Sequence, residues 1–556
     1  MKWQVLVRKS VLLGISASLL LPMASYAAGE DMIRNYVARQ TTVPLIKPSW
    51  GNFIIHTEPL NKLYALRGYA AIWVDANGVP NANLQALRAV LARANRHGLV
   101  PSDYWDSEMD SLLEKVTRNS QNWITFELAA SESLIRYVTH LSTGRFDPEL
   151  VDTDIKYKKR EFTEFNELAS IIAAGGDLAG LDRLAPTHSR YRDLMQILAQ
   201  LREMKQAGGW EQLTLTGKPL KRGANDPLIA QSRQRLIQLG YQVNAAGGNI
   251  YDAELEAVVR EYQANSGLSV DGVIGKDFTR SMNYSVAQRI SQVEVNMEKL
   301  RWLPRTIETR HIFVNLATTE FRLFDESGMR FHFNTVNGQS FRRTPSMRDS
   351  ITFVELNPTW TVPHSIAIRD KIPQIKKDVG YLEKHNMVLL DASTDEVVNP
   401  YSVDWSSINA RNFPYYIRQN PGPDNALGVV KFPLQNPWAI YMHDTNEKNL
   451  FAESNRHRSS GCVRLEQPLE LAAYLLQDQP QWSLPSIQAF VPMAEGQQAT
   501  ELQKRVFLKK AMPVYFTFLT VEKSENGQIR FVDDVYGQDL RLARALANKR
   551  NGNEPF

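Results

Sequence analysis

The chain has 556 residues, 43% of them hydrophobic and 22% charged, with a formal net charge of +4. That composition excludes wholesale disorder, and the length suggests about three to four domains of roughly 150 residues each. Lys2, Arg8 and Lys9 supply three of the charges and residues 1–27 hold no acid, so the rest of the chain is nearly neutral and nucleic acid is not an expected partner.

In chain order, the first element is a targeting segment. The three cations form a positive flank, Val11 to Leu21 is apolar, Pro22 breaks the run, and Ser25 and Ala27 set small residues at a cleavage site. The pattern predicts a secretory signal peptide over 1–27 cleaved near Ala27, because the apolar run falls short of the ~20 residues a membrane span needs. No later run is long enough to span, so the mature chain is expected in the periplasm. A single cysteine, Cys462, is notable there. Oxidising compartments favour disulfides, and a lone cysteine is either an inert buried residue or a thiol kept for chemistry.

Residues 28–224 read as a helical scaffold. Leu84, Leu87 and Leu91, with Val90, form one helical face before Gly98, and Trp123–Leu141 and Tyr191–Met204 are further helices. Residues 225–283 read as a three-helix module. Asp226 caps a helix opened by Pro227 and stopped by Gly240, and Asp252 caps a second closed by Gly267. Residues 284–305 are a helical linker returning to the scaffold. From about 306 the texture turns to strands: His311–Leu316, Phe321–Phe324, Phe331–Val336, Ile351–Glu355 and Trp438–Thr445. Val514–Val521 and Ile529–Val535 flank Asn526-Gly527, a hairpin signal. The reading is an α+β multidomain chain, with a β-rich domain over 306–500 and a helix and hairpin extension over 501–556. An aromatic-rich insertion over about 365–425 is too long for an ordinary connection and reads as a lid.

Two segments carry chemistry. In a strand through Trp438–Thr445, side chains alternate, so Trp438, Ile440 and Met442 face the core while Tyr441 and His443 share the opposite face, roughly 7 Å apart. In Arg458-Ser459-Ser460-Gly461-Cys462-Val463-Arg464, small residues permit a tight turn, and Pro468 opens a helix downstream. A thiol becomes a nucleophile as the thiolate, with an imidazole to take its proton. Attack on a carbonyl makes an oxyanion that needs fixed donors. The N–H groups of Gly461 and Cys462 and the Tyr441 hydroxyl are candidates, and Arg464 is a candidate to grip a substrate carboxylate. Against these stand an inert Cys462, a structural His443, an ordinary strand tyrosine at 441, and an Arg464 that only braces its loop. His364 is a rival base that could line the cleft, and His457 reads as solvated.

These residues resemble a known pattern. His443, a gap of 15 residues, then Ser459-Ser460-Gly461-Cys462-Val463-Arg464 is similar to the signature of YkuD-type L,D-transpeptidases, in the form of the YcbB branch. Asn357-Pro358-Thr359-Trp360-Thr361-Val362-Pro363 and Pro421-Gly422-Pro423-Asp424-Asn425-Ala426-Leu427-Gly428 also resemble that branch, and 225–283 resembles a peptidoglycan-binding module. The resemblance implies that Cys462 attacks the meso-diaminopimelate carbonyl of a stem tetrapeptide, expels D-Ala, and passes the acyl group to a second stem in a 3–3 cross-link. It implies His443 as base, oriented by a backbone carbonyl, with Tyr441 and Gly461 at the oxyanion site. Arg464, Ser460, Trp360 and Asn425 are candidate substrate contacts, and carbapenems are expected to acylate Cys462. Glycan strands and stem peptides are the implied partners. No metal or cofactor is expected: there is no HExxH, and the sole cysteine is the nucleophile. Water as acceptor would make a carboxypeptidase, a lipoprotein lysine an anchoring enzyme, and a dead site a wall-binding scaffold. Two positions depart from the pattern: Ser460 stands where many members carry His, and Asn446 where the branch carries Pro.

Overall fold

The computed structural model describes residues 29–37, 45–46, 55–75, 77–119, 123–175, 178–492 and 503–550. The expected leader and the 500/501 boundary lie outside the described residues. The helical region is built around the helix Trp123–Thr143, buried along most of its length. Its Glu127 is fully buried and accepts hydrogen bonds from the backbone N–H groups of Trp73 (2.9 Å) and Val74 (3.2 Å) and from the Tyr64 hydroxyl (2.7 Å). A buried carboxylate is tolerable only with such partners. The helices Ala82–Ala92 and Ser189–Gln206 contain the expected apolar positions, with Asn81 capping the first.

The three-helix module forms as its caps predict. The Asp226 side chain accepts from Leu228 N, and the Asp252 side chain from Leu255 N, at the starts of Pro227–Gln238 and Ala253–Asn265. Lys276–Met282 is the third helix. The expected linker is a different object. Val286–Trp302 opens with a Ser285/Gln288 capping box and is buried on most sides. Its Arg301–Glu298 pair is 1% exposed on both side chains. Arg301 also donates to the His97 carbonyl and to the Tyr191 hydroxyl, so this helix is a central beam rather than a connection.

The β-rich domain contains nine strands in one sheet: β1 (His311–Asn315), β2 (Glu320–Asp325), β3 (Gly328–Gly338), β4 (Met347–Leu356), β5 (Val430–Phe432), β6 (Met442–His443), β7 (His457–Ser459), β8 (Val463–Leu465) and β9 (Lys504–Thr517). The order is β7-β3-β8-β6-β5-β4-β9-β1-β2, and β2 pairs again with β3, closing eight strands into a ring with β7 attached to β3. Ring closure removes free edges. Val514–Thr517, expected as one arm of a terminal hairpin, instead pairs in parallel with β1, while β9 pairs antiparallel with β4. Lys504–Thr517 is therefore central to the sheet rather than part of an extension. The hairpin exists but is shorter, Val521–Lys523 against Ile529–Phe531 around Gly527 (φ 88°). It locks the small module to the barrel: Ile529 N–H donates to Leu239 O at 2.9 Å and Gln528 Nε2 to Glu261 Oε1 at 2.7 Å.

Between β4 and β5 lies the lid, with its own four-stranded antiparallel sheet in the order Trp360–Thr361, Tyr415–Gln419, Met387–Asp391, Val397–Val398. Its separate core includes Trp360, Ile375, Leu389, Trp405 and Ile417. The lid therefore starts a few residues before the expected 365. Among the described residues no helix is long and apolar enough to cross a membrane.

Candidate active site

The site is built on two neighbouring parallel strands. β6 pairs with β8 in the register Met442↔Val463 and His443↔Arg464, and Val463 N–H donates to Tyr441 O at 3.1 Å. This sets Cys462 beside Tyr441. The alternation holds from Ile440 onward: Met442 is buried in the barrel core, and the Tyr441 and His443 rings meet edge-on with centroids 5.6 Å apart. It fails before that. Asn436 Oδ1 accepts from Trp438 N and Ile440 N, both at 3.1 Å, and Ala439 sits at φ +55°. An asparagine side chain competes here with the ladder, so 436–440 is a loop, and Trp438 is 42% exposed at the cavity rather than in the core.

The Cys462 turn is closed by Ser459, whose hydroxyl donates to Cys462 O at 2.6 Å and accepts from Gly461 N–H at 3.1 Å. Gly461 has φ +125°, and a Cβ there would stand 3.2 Å from Ile440 Cδ1, so only glycine fits without strain. One expectation is corrected: the Gly461 N–H is held by Ser459 and does not face a substrate oxygen. The Cys462 N–H meets no acceptor among the described residues and, with the Tyr441 hydroxyl, is the available oxyanion donor.

Burial pushes the Cys462 thiol above its ordinary range, and hydrogen bonds from the Tyr441 backbone and side chain draw it partly back. His443 is 4% exposed. Its Nδ1 bonds the Asp444 carbonyl, which assigns the proton to Nδ1 and leaves the Nε2 lone pair free. Burial, then the nearby Arg464, Lys431 and Lys448 cations, hold the ring at about 3. At neutral pH the resting pair is a neutral thiol beside a neutral imidazole. The Asp444 carboxylate is engaged elsewhere, by Val429 N at 2.9 Å and by Lys448.

A cavity of about 490 Å³ joins these groups to the lid. Cys462, His443, Tyr441 and Ser460 line one side, and Trp360, Lys371, Tyr381 and Leu427 come from the lid. Tyr441 packs against the lid core that includes Trp360. Ser460 Oγ faces the cavity but accepts from Arg342 Nη1 at 2.9 Å. Two expected substrate contacts are corrected. Arg464 is ion-paired to Glu447 and donates to Thr445 Oγ1 at 3.3 Å, so its charge is already matched. Asn425 is 1% exposed and staples its loop, with Nδ2 donating to Asn420 O (2.8 Å) and Pro358 O (3.2 Å) and Oδ1 accepting from Leu427 N (2.8 Å). Of the rival bases, His364 is exposed at the start of the lid, and His457 is half-buried with Nε2 on Leu316 O at 3.0 Å rather than solvated; neither lines the cavity. Asn446 lines it and ties its loop to Asp424 O at 3.3 Å. Sequence reasoning missed Arg342 and Asp370, whose pairing joins separate segments, Lys371, placed by a π-helical turn, and Trp438, turned to the cavity by the Asn436 loop.

Residues 309–489, which contain the lid, His443 and Cys462, match the family model of the "L,D-transpeptidase catalytic domain" (YkuD). The chain carries an L,D-transpeptidase catalytic domain. Preceding this L,D-transpeptidase domain, residues 58–198 match a "Scaffold domain" and 225–282 a "Putative peptidoglycan binding domain". A Haemophilus influenzae protein described as "Putative L,D-transpeptidase" is 32% identical over 268 residues, 48% of this chain and 51% of that protein. The chain thus spans about half the length of that curated relative. Among solved structures, an L,D-transpeptidase of Stackebrandtia nassauensis aligns at 12% identity over 55% of this chain and 97% of its own, with a TM-score of 0.22. One from Xylanimonas cellulosilytica aligns at 11% identity over 55% and 99%, with a TM-score of 0.17. Superposition that loose carries no argument about the L,D-transpeptidase site, which rests on its own geometry.

Proposed function

We propose that this chain is an exported, periplasmic L,D-transpeptidase that forms 3–3 cross-links in peptidoglycan, with Cys462 as nucleophile. The observation that carries the reading is the shared cavity: Cys462 and a neutral His443, whose Nδ1 is taken by a backbone carbonyl, line it together with residues of the lid. In the first half-reaction His443 takes the Cys462 proton as sulfur adds to the meso-diaminopimelate carbonyl of a stem tetrapeptide. The oxyanion is met by the Cys462 N–H and the Tyr441 hydroxyl. Collapse breaks the bond to D-Ala, which leaves with the proton from His443, and a thioester remains on Cys462. In the second half, His443 accepts a proton from the side-chain amine of another stem as that amine attacks, and the thiol is regenerated. The peptidoglycan-binding domain supports glycan strands and stem peptides as partners, and the leader expected over 1–27 supports export. The same thiol is a target for acylation by carbapenems.

The lid favours a second stem over water as acceptor, because covering the thioester excludes solvent. The test is to incubate the purified chain with tetrapeptide muropeptides and analyse products by mass spectrometry. Cross-linked dimers support the reading. Tripeptide monomers with free D-Ala would make it an L,D-carboxypeptidase, and acyl transfer only to a lipoprotein lysine an anchoring enzyme. Absence of both turnover and a carbapenem adduct on Cys462 would leave a wall-binding scaffold. Dimers formed by Cys462→Ala would remove the thiol from the mechanism.

A further inference from the structure

The cavity was expected to hold a substrate carboxylate at Arg464, and that guanidinium is already neutralised by Glu447. Arg369, also lining the cavity, is paired with Asp370 at 3.4 Å. Lys371 differs. It is half-buried, lines the same cavity, and has no carboxylate partner among the described residues. Its ammonium lies over two aromatic faces, 5.4 Å from the Trp360 ring centre and 5.6 Å from that of Tyr381, and donates one hydrogen bond to the Tyr381 hydroxyl at 3.1 Å. An ammonium has three donors, and the rings hold the charge in place without using the other two.

The backbone here is also unusual. Ala367–Lys371 is a π-helical turn, a distortion frequent at functional sites, and Lys371 is its last residue. Trp360, beneath the ammonium, belongs to the lid core against which Tyr441 packs, and both line the cavity with Cys462. A group held by Lys371 therefore shares the cavity with the bond being cut.

We propose that Lys371 is the carboxylate anchor of this site, gripping a carboxylate of the donor stem next to the cleaved bond. This rests on the transpeptidase reading above. The carboxylate belongs to the leaving D-Ala or to the diaminopimelate side chain, and amidation of each separates them. A partly desolvated cation facing a carboxylate forms a charge-assisted hydrogen bond, stronger than a neutral one, and it orients the stem as well as binding it.

The experiment is calorimetric binding of tetrapeptide stem to the full chain carrying Cys462→Ala, alone and combined with Lys371→Met or Lys371→Arg. Lys371→Met raises the Kd at least tenfold, and Lys371→Arg restores most of the affinity. Amidating the anchored carboxylate weakens binding by the same factor with Lys371 present and has no further effect with Lys371→Met. The amidated stem that shows this lack of additivity identifies which carboxylate is held. Binding unchanged by Lys371→Met, or an equal loss on the intact stem and on both amidated stems, overturns the proposal. Acylation of Cys462 in the wild-type chain is read separately: its absence removes the transpeptidase reading without touching the binding result.

Discussion

At the scale of single residues, the site is set by what burial does to two titratable groups. The ring of His443 takes a proton in the unfolded chain below about pH 6.5, but in the fold not until about 3. The unfolded state binds more protons throughout that window, so stability is unaffected above it and falls as pH drops through it. His188, held at about 4 by burial and the nearby Arg190, acts in the same direction. Thermal melts from pH 7 to 3.5 will show the decline, with a shallower slope in His443→Gln. The thiol responds at the other end. Alkylation of Cys462 by iodoacetamide is expected to be slow at pH 7 and to accelerate only above the ordinary thiol range, because burial keeps the sulfur protonated. Gly461→Ala forces a Cβ toward Ile440 at φ +125°. It should cost ~1–3 kcal/mol in urea melts and lower turnover far more than folding, since the same turn aims the sulfur. The site's principal groups were legible from strand alternation and the Cys462 turn: His443, Tyr441 and Cys462 all line one cavity. What was not legible was occupancy. Nothing in the pattern says that Ser459 holds the Gly461 N–H or that Glu447 neutralises Arg464.

At the scale of elements, the Arg342 side chain fastens the lid to the Cys462 turn. Arg342, on the loop after β3, makes a two-armed ion pair with Asp370 of the lid at 2.8 and 2.9 Å and donates to Ser460 Oγ at 2.9 Å. The pair is only 16% and 33% exposed. Asp370→Asn is expected to lower the kcat/KM for acylation of Cys462 by the stem roughly tenfold, for a coupling of about 1.4 kcal/mol. The exchange Arg342→Asp with Asp370→Arg should recover part of the loss, measured as a double-mutant cycle on acylation rate. Helices with caps and apolar stripes were readable in advance: the small module formed as Asp226, Pro227 and Asp252 predict. Strand ends were not. Asn436 ended the reach of β6 toward Trp438 by bonding its own backbone, a local competition that hydrophobic alternation does not register. Val286–Trp302 carries enough charge to look like an exposed connection, and its burial follows from partners such as His97 and Tyr191 more than 100 residues away.

At the scale of the whole molecule, that beam joins the helical region to the barrel. Lys299 Nζ donates to Phe518 O at 2.9 Å, and Asn296 Nδ2 to Thr520 Oγ1 at 2.9 Å. Arg301→Met would strand the Glu298 carboxylate, otherwise satisfied by Arg301 and by the backbone N–H groups of Arg145 and Phe146. Loss of one member of a buried pair costs ~3–5 kcal/mol, so chemical denaturation should show a large drop in midpoint, shared by signals from the helical region and the barrel.

The position of β9 carries a consequence for how the chain comes into being. It lies between β4 and β1, and the bond from Asn315 Nδ2 to Leu519 O spans 204 residues of sequence. During synthesis β1 to β8 emerge with a gap in the middle of their ring. Hairpins such as β1–β2 can form early, but the ring closes only when Lys504–Thr517 arrives. Contacts so distant in sequence make for slow folding. The thiol at 462 is thus made before the ring that holds it beside Tyr441 is closed, and the assembled site is a late event in the life of each molecule.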